Sequence, residues 1–195
     1  MKMKKRIIIS ALDSVLNVKE WLNDNIPVMN LTKNGYVKKM SSLVEPQWAA
    51  NYSKHLISSI PAYLKDEEIL SELIKHRSFI GVPLIEGSYD GITSLIQEGL
   101  RPVLLFPGEI GQELKSACDL NGLLLPTAYY LDLKAKYCIM EKMEVVVESN
   151  INTANNIAKN KIKCVLIDLP WNQGETQAFR AKNWKEAAEW IIDNI

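Results

Sequence analysis

The chain has 195 residues, 47% of them apolar and 24% charged, enough to bury one sizeable core with an inserted piece. Its 23 basic and 23 acidic residues cancel, which excludes the charge excess that a phosphate-backbone binder requires and argues against a nucleic-acid polymer as partner. No apolar stretch approaches the roughly 20 residues of a membrane span. The basic start Met1-Lys-Met-Lys-Lys-Arg6 precedes an apolar run that meets Asp13 too early for a signal peptide. Cys118, Cys138 and Cys164 lack metal or redox spacing and read as reduced core residues, so a cytoplasmic protein is expected. With His55 and His76 as the two histidines, chemistry would rest on carboxylates, lysine or a hard metal ion.

In chain order, the β-branched run Lys5 to Ala11 predicts a buried parallel strand. Ser14 to Asn25 reads as a helix, with Val15, Val18, Trp21 and Leu22 on one face. Residues 26–40 are turn-rich, and two amphipathic helices follow, one after Pro46 and one over Lys65 to Arg77. Regular alternation then sets in. A helix from Ser88 stops at Gly99, Val103 to Phe106 is a strand, and Glu109 to Asn121 is a helix. A strand lies within Leu123 to Tyr130 and another at Val145 to Val147. Asn152 to Lys159 is a helix, Cys164 to Ile167 a strand, and Asn183 caps a last helix carrying Trp184, Ala187, Ala188, Trp190 and Ile191. Trp171 and Arg180 fall in the loop before it, with a structural role tying that helix to the sheet.

Strands alternating with helices predict an α/β fold, a Rossmann-like parallel sheet with helices on both faces. The core comprises 1–16 and 83–195, and 17–82 forms a small helical cap inserted after strand 1. Such a cap covers the carboxyl ends of the strands, where open α/β sheets bind ligands.

Four landmarks resemble, in order, the 5'(3')-deoxyribonucleotidase branch of the haloacid-dehalogenase superfamily. Asp13-Ser-Val-Leu16 is similar to the second half of that family's Asp-x-Asp-Gly/Ser-Val-Leu signature. Ser78-Phe-Ile-Gly-Val-Pro-Leu-Ile-Glu-Gly87 resembles its return from cap to core. Val145-Val-Val-Glu-Ser-Asn150 stands where the family has a strand ending in Asp-Asp, and Val165-Leu-Ile-Asp-Leu-Pro-Trp-Asn172 is similar to its late strand and Pro-Trp/Tyr-Asn turn.

The resemblance implies a Mg²⁺-dependent phosphohydrolase. An Asp ending strand 1 would attack phosphorus, and a second Asp two positions later would serve as acid and base. A cation and fixed donors would offset the charge of the transferring group. Anchored on Asp13-Ser-Val-Leu16, the nucleophile position is Ala11; anchored on the strand, it is Ser10. Neither is a carboxylate, so Mg²⁺ loses its best anionic ligand, and loss of a nucleophile elsewhere costs on the order of 10⁶ in rate.

Asp13 matches the acid/base position and is a candidate metal ligand, with helix capping as its other reading. Glu148 replaces the first acid after strand 4 and is the second candidate ligand, with a surface or capping role as the alternative. After strand 2, Pro107 replaces a Ser/Thr and has neither hydroxyl nor N–H, and Glu109 adds charge of the wrong sign for phosphate. Lys134, Lys136 and Lys142 lie in the stretch where the phosphate-binding lysine would fall, none at the expected distance before strand 4; Lys136 is the assignment, with a solvated surface lysine as its other reading. Trp48 and Tyr52, one helical turn apart in the cap, could stack a base or simply pack.

Two functions follow. One is a pseudoenzyme that binds a nucleotide-like or small phosphate ligand, or a protein partner. The other is a working nucleotidase in which Asp13 attacks, or in which Asp13 and Glu148 activate water. An unrelated α/β binding domain is a third reading.

Overall fold

The computed structural model describes residues 5–18, 81–108, 111–130, 134, 137–138, 141, 143–170 and 172–195. Most of the expected cap, including Trp48 and Tyr52, lies outside them. The described elements are β1 (Arg6–Ser10), α1 (Ser88–Gln97), β2 (Arg101–Pro107), α2 (Gly111–Leu120), β3 (Thr127–Tyr130), β4 (Val145–Glu148), α3 (Ile151–Lys159), β5 (Lys163–Ile167), β6 (Phe179–Ala181) and α4 (Trp184–Asn194).

The six strands form one sheet in the order β3-β2-β1-β4-β5-β6. Every pairing is parallel. The chain first builds outward from β1 through β2 to β3, then returns to place β4 on β1's other side. The order therefore reverses at β1, and the crevice beyond the carboxyl ends of β1 and β4 is where such sheets bind ligands.

Alternation along each strand divides the core in two. Ile7, Ile9, Leu104, Phe106, Val145, Val147, Val165 and Ile167 pack on one face with Ile92 and Leu95 of α1, Leu114 of α2, and Trp184 and Ile191 of α4. Ile8, Val103, Leu105, Val146, Cys164 and Leu166 pack on the other with Ala154 and Ile157 of α3, Cys138 and Met143. The parallel sheet covered on both faces agrees with the expectation from the α/β alternation. All three cysteines are free and buried, and burial pushes the thiols of Cys118 and Cys138 up to about 12.

Three expectations are corrected. Ser14 does not begin a helix. Residues 13–16 form a turn in which Asp13 N–H donates to Leu16 O at 2.9 Å and Leu16 N–H to Ala11 O at 2.9 Å. The turn is fixed by tertiary contacts, because Ile85 N–H donates to Val15 O at 2.7 Å and Asn17 N–H to Pro83 O at 2.8 Å. Phe179 to Ala181, expected in a loop, forms the sixth strand by pairing with Val165 to Ile167. A three-residue strand at a sheet edge carries too little periodicity to be read from sequence. Arg180 likewise ties down the 168–174 loop and not the last helix, as described below.

Trp184, fully buried at the start of α4, donates its indole N–H to Ser14 O and so joins the last helix to the β1 turn. It fits because α1 has glycine at the contact: a Cβ on Gly91 would lie 2.9 Å from Trp184 Cε3 and 3.0 Å from Trp184 O. Gly91→Ala is therefore expected to destabilise the fold by about 1–3 kcal/mol, the cost of overpacking. Urea unfolding checks this against Gln97→Ala on the exposed side of the same helix, expected within about 0.5 kcal/mol of wild type.

Candidate functional site

Parity decides which side chains meet at the crevice. Ile9 pairs with Val147, so Ser10 and Glu148 are the next residues along β1 and β4 and turn to the same face as Ile8 and Val146. Ala11, one step further, is buried on the opposite face among Ile9, Leu12 and Val15. Of the two candidate nucleophile positions, Ser10 is the one whose side chain faces Glu148, and Ala11 does not.

Lys134 completes the cluster. Its ammonium donates to Ser10 Oγ at 2.8 Å and lies 3.0 Å from Glu148 Oε1 and 3.4 Å from Oε2. The ring of Tyr130 sits 5.6 Å away from Nζ. Glu148 is completely buried and Lys134 is 7% exposed. Glu148 Oε2 also accepts the backbone N–H groups of Ser149 and Asn150, each at 3.2 Å. Glu148 therefore faces the crevice and also receives the chain as it leaves β4, buried and not at the surface. Burial opposes the charge on Lys134, but Glu148, then Tyr130, outweigh it and hold the pKa above the ordinary lysine value. Lys134 is consequently an ammonium at neutral pH and cannot take a proton from Ser10.

Around this cluster the loops are tied by side chains. Ser149 Oγ donates to Leu12 O at 2.9 Å, fixing the turn after β1 to the end of β4. Asn172, fully buried, donates from Nδ2 to Ser149 O at 2.8 Å and to Ile167 O at 2.7 Å. Its Oδ1 accepts from Leu169 N–H and from Arg180, both at 3.1 Å. Arg180 also holds Asp168 at 2.8 Å and the carbonyls of Asn172 and Gly174. Asn172 is thus a clamp over the ends of β4 and β5, and the Pro-Trp-Asn motif signalled it without singling it out for the role.

Asp13 is buried, 5% exposed, in the turn just beyond β1, with φ at +56°. Asp tolerates this left-handed conformation better than most residues. Glu109, Lys136, Lys142 and Trp171 lie outside the described residues; among the described residues, the lysine that meets Ser10 and Glu148 is Lys134. At the end of β2, Gly108 N–H donates to Tyr130 O at 2.8 Å, so this backbone donor serves the sheet.

Ser10, Lys134 and Glu148 do not fit a magnesium ion. Mg²⁺ seeks octahedral oxygen ligands, with one or two carboxylates in support. Here the charge of Glu148 is already matched by Lys134, and the side chain at the end of β1 is a neutral hydroxyl spent on the same ammonium. Among the described residues no three His, Cys, Asp or Glu side chains are grouped to hold a metal.

No protein-family model and no curated protein matches the sequence. Solved structures do. An L-2-haloacid dehalogenase matches at 11% identity over 97% of this chain and 99% of its own, with a TM-score of 0.61. A candidate HAD-hydrolase, YfnB from Bacillus subtilis, bound to magnesium, matches at 12% identity over 97% and 99%, with a TM-score of 0.67. A candidate beta-phosphoglucomutase from Thermotoga maritima matches at 9% identity over 98% and 100%, with a TM-score of 0.65. This chain therefore has the α/β fold of the haloacid-dehalogenase-type hydrolases. Among its described residues no helix is long and apolar enough to cross a membrane.

Breaking the buried pair leaves an uncompensated charge, so Glu148→Gln is expected to cost about 3–5 kcal/mol in urea unfolding. The pH sign follows from the raised pKa of Lys134. The contribution is complete below the ordinary value of 10.5 and is lost as pH rises from there through the folded-state value. Unfolding measured across that range should show an alkaline decline in wild type that Lys134→Met lacks.

Proposed function

We propose that this chain is a catalytically silent protein of the haloacid-dehalogenase-type fold, nucleotidase-like in layout, that uses its crevice to bind and not to hydrolyse. The occupant is a nucleotide-like or other small phosphate ligand, or a protein partner. The observation that carries this reading is Ser10 at the end of β1, where covalent capture of a phosphoryl group needs a carboxylate. Its hydroxyl accepts from an ammonium that Glu148 keeps protonated. A serine could attack only after losing its proton, and the neighbouring group cannot receive it. The nucleotidase-like part of the reading rests on the four sequence landmarks, of which the Pro-Trp-Asn turn is the most specific.

Phosphate release from deoxynucleoside monophosphates in Mg²⁺ tests the proposal. An ordinary turnover of about 10 s⁻¹, reduced on the order of 10⁶-fold by the missing nucleophile, leaves about 10⁻⁵ s⁻¹. A rate of about 1 s⁻¹ or more, ordinary for an enzyme, overturns it.

One observation favours a second reading, a phosphohydrolase with rearranged residues. Asp13 is a buried acid held at positive φ in the turn at the mouth of the sheet, and unusual backbone at such a place is a known companion of function. On that reading Asp13→Asn abolishes phosphate release. Release that continues at the wild-type rate in this variant eliminates it.

A further inference from the structure

The charge balance at the end of β1 goes further than the loss of a nucleophile. Glu148 is fully buried, and a carboxylate removed from water must be offset by a positive charge. The offset comes from within the chain, since Lys134 Nζ lies 3.0 Å from Glu148 Oε1 while donating to Ser10 Oγ at 2.8 Å. Two backbone N–H groups, of Ser149 and Asn150, add partial positive charge on Oε2. The cluster is therefore neutral as it stands. Adding a divalent ion would put two positive charges beside an ammonium, with no second carboxylate at position 10 to receive them. At such separations like charges repel by several kcal/mol even at an effective dielectric of about 20.

We propose that Lys134 is the resident cation of this strand end, an internal ammonium in the place of a divalent metal, and that the chain holds no Mg²⁺ between Ser10 and Glu148. This deepens the reading of a silent hydrolase fold, on whose site it rests. The ammonium does for Glu148 what a metal would otherwise do, and it is carried by the chain and cannot be chelated away. The same geometry gives Ser10 its role: a neutral acceptor for the ammonium that adds no second negative charge.

Mn²⁺ titration of the full chain, followed by the spin-resonance signal of the free ion, tests the inference beside melting in EDTA and in excess Mg²⁺. Wild type and Glu148→Gln are expected to give the same Mn²⁺ isotherm, and wild type the same melting temperature with and without metal. In Lys134→Met the carboxylate loses its counter-charge, so Mg²⁺ is expected to raise the melting temperature, as a ligand specific to the folded state does. A Mn²⁺ site in wild type that Glu148→Gln lacks overturns the inference, as does a Lys134→Met variant indifferent to Mg²⁺. Should Lys134→Met fail to fold, Ser10→Asp replaces it. Two carboxylates then face one ammonium, and Mn²⁺ should bind at least about tenfold tighter than to wild type, or about 1.4 kcal/mol; no gain overturns the inference. Metal binding by wild type without phosphate release defeats this inference alone, whereas phosphate release in EDTA defeats the functional reading alone.

Discussion

A buried ammonium must find a carboxylate, and in this chain one such pairing sets the terms for everything near it. Lys134 reaches across the carboxyl ends of two adjacent parallel strands, touching Ser10 on β1 and Glu148 on β4. These strands lie where the strand order reverses, so the crevice between them is the place a ligand would enter. An ion pair there is weak evidence for stability, because desolvating two charges costs about what their attraction returns. Its effect is on chemistry. The lysine is held as a cation, with the serine as its acceptor and the glutamate beside it, so the three polar groups are engaged with one another.

The surrounding loops keep this arrangement in register. Ser149 binds the carbonyl of Leu12, Asn172 binds the carbonyl of Ser149, and Arg180 binds Asn172. The result is a chain of hydrogen bonds from the turn after β1 to the edge strand β6. Trp184 makes a second tie from α4 to Ser14 on the far side of the same turn. A turn held at both sides positions Asp13 closely, whether or not that acid ever moves a proton. These ties surround a centre in which Lys134 and Glu148 balance each other's charge.

Much of this was legible in the linear sequence. Parallel strands buried on both faces must be continuous apolar runs, so Ile7 to Ile9, Val145 to Val147 and Cys164 to Ile167 announce themselves, as do the helices capped by Asn150 and Asn183. The absence of a carboxylate at positions 10 and 11 is a fact of composition, and it needs no coordinates. Glu148 was likewise found by its place at the end of an apolar strand.

The tertiary structure decided what spacing could not. Whether Ser10 or Ala11 faces the crevice depends on the pleat, since one residue of slip turns a side chain to the other face of the sheet. Ser10 shares its face with Glu148, and Ala11 is packed on the other. Lysines two positions apart are indistinguishable in sequence; among the described residues, Lys134 is the one whose ammonium reaches both strands. The strand at Phe179 to Ala181 exists because β5 offers it a partner, and the turn at Asp13 because residues 82–87 return beside it. Local pattern fixes which segments are strand or helix, because burial repeats along the chain. Which charges meet is settled only when distant strand ends are brought together, because pairing energy depends on separation and burial and not on distance in sequence.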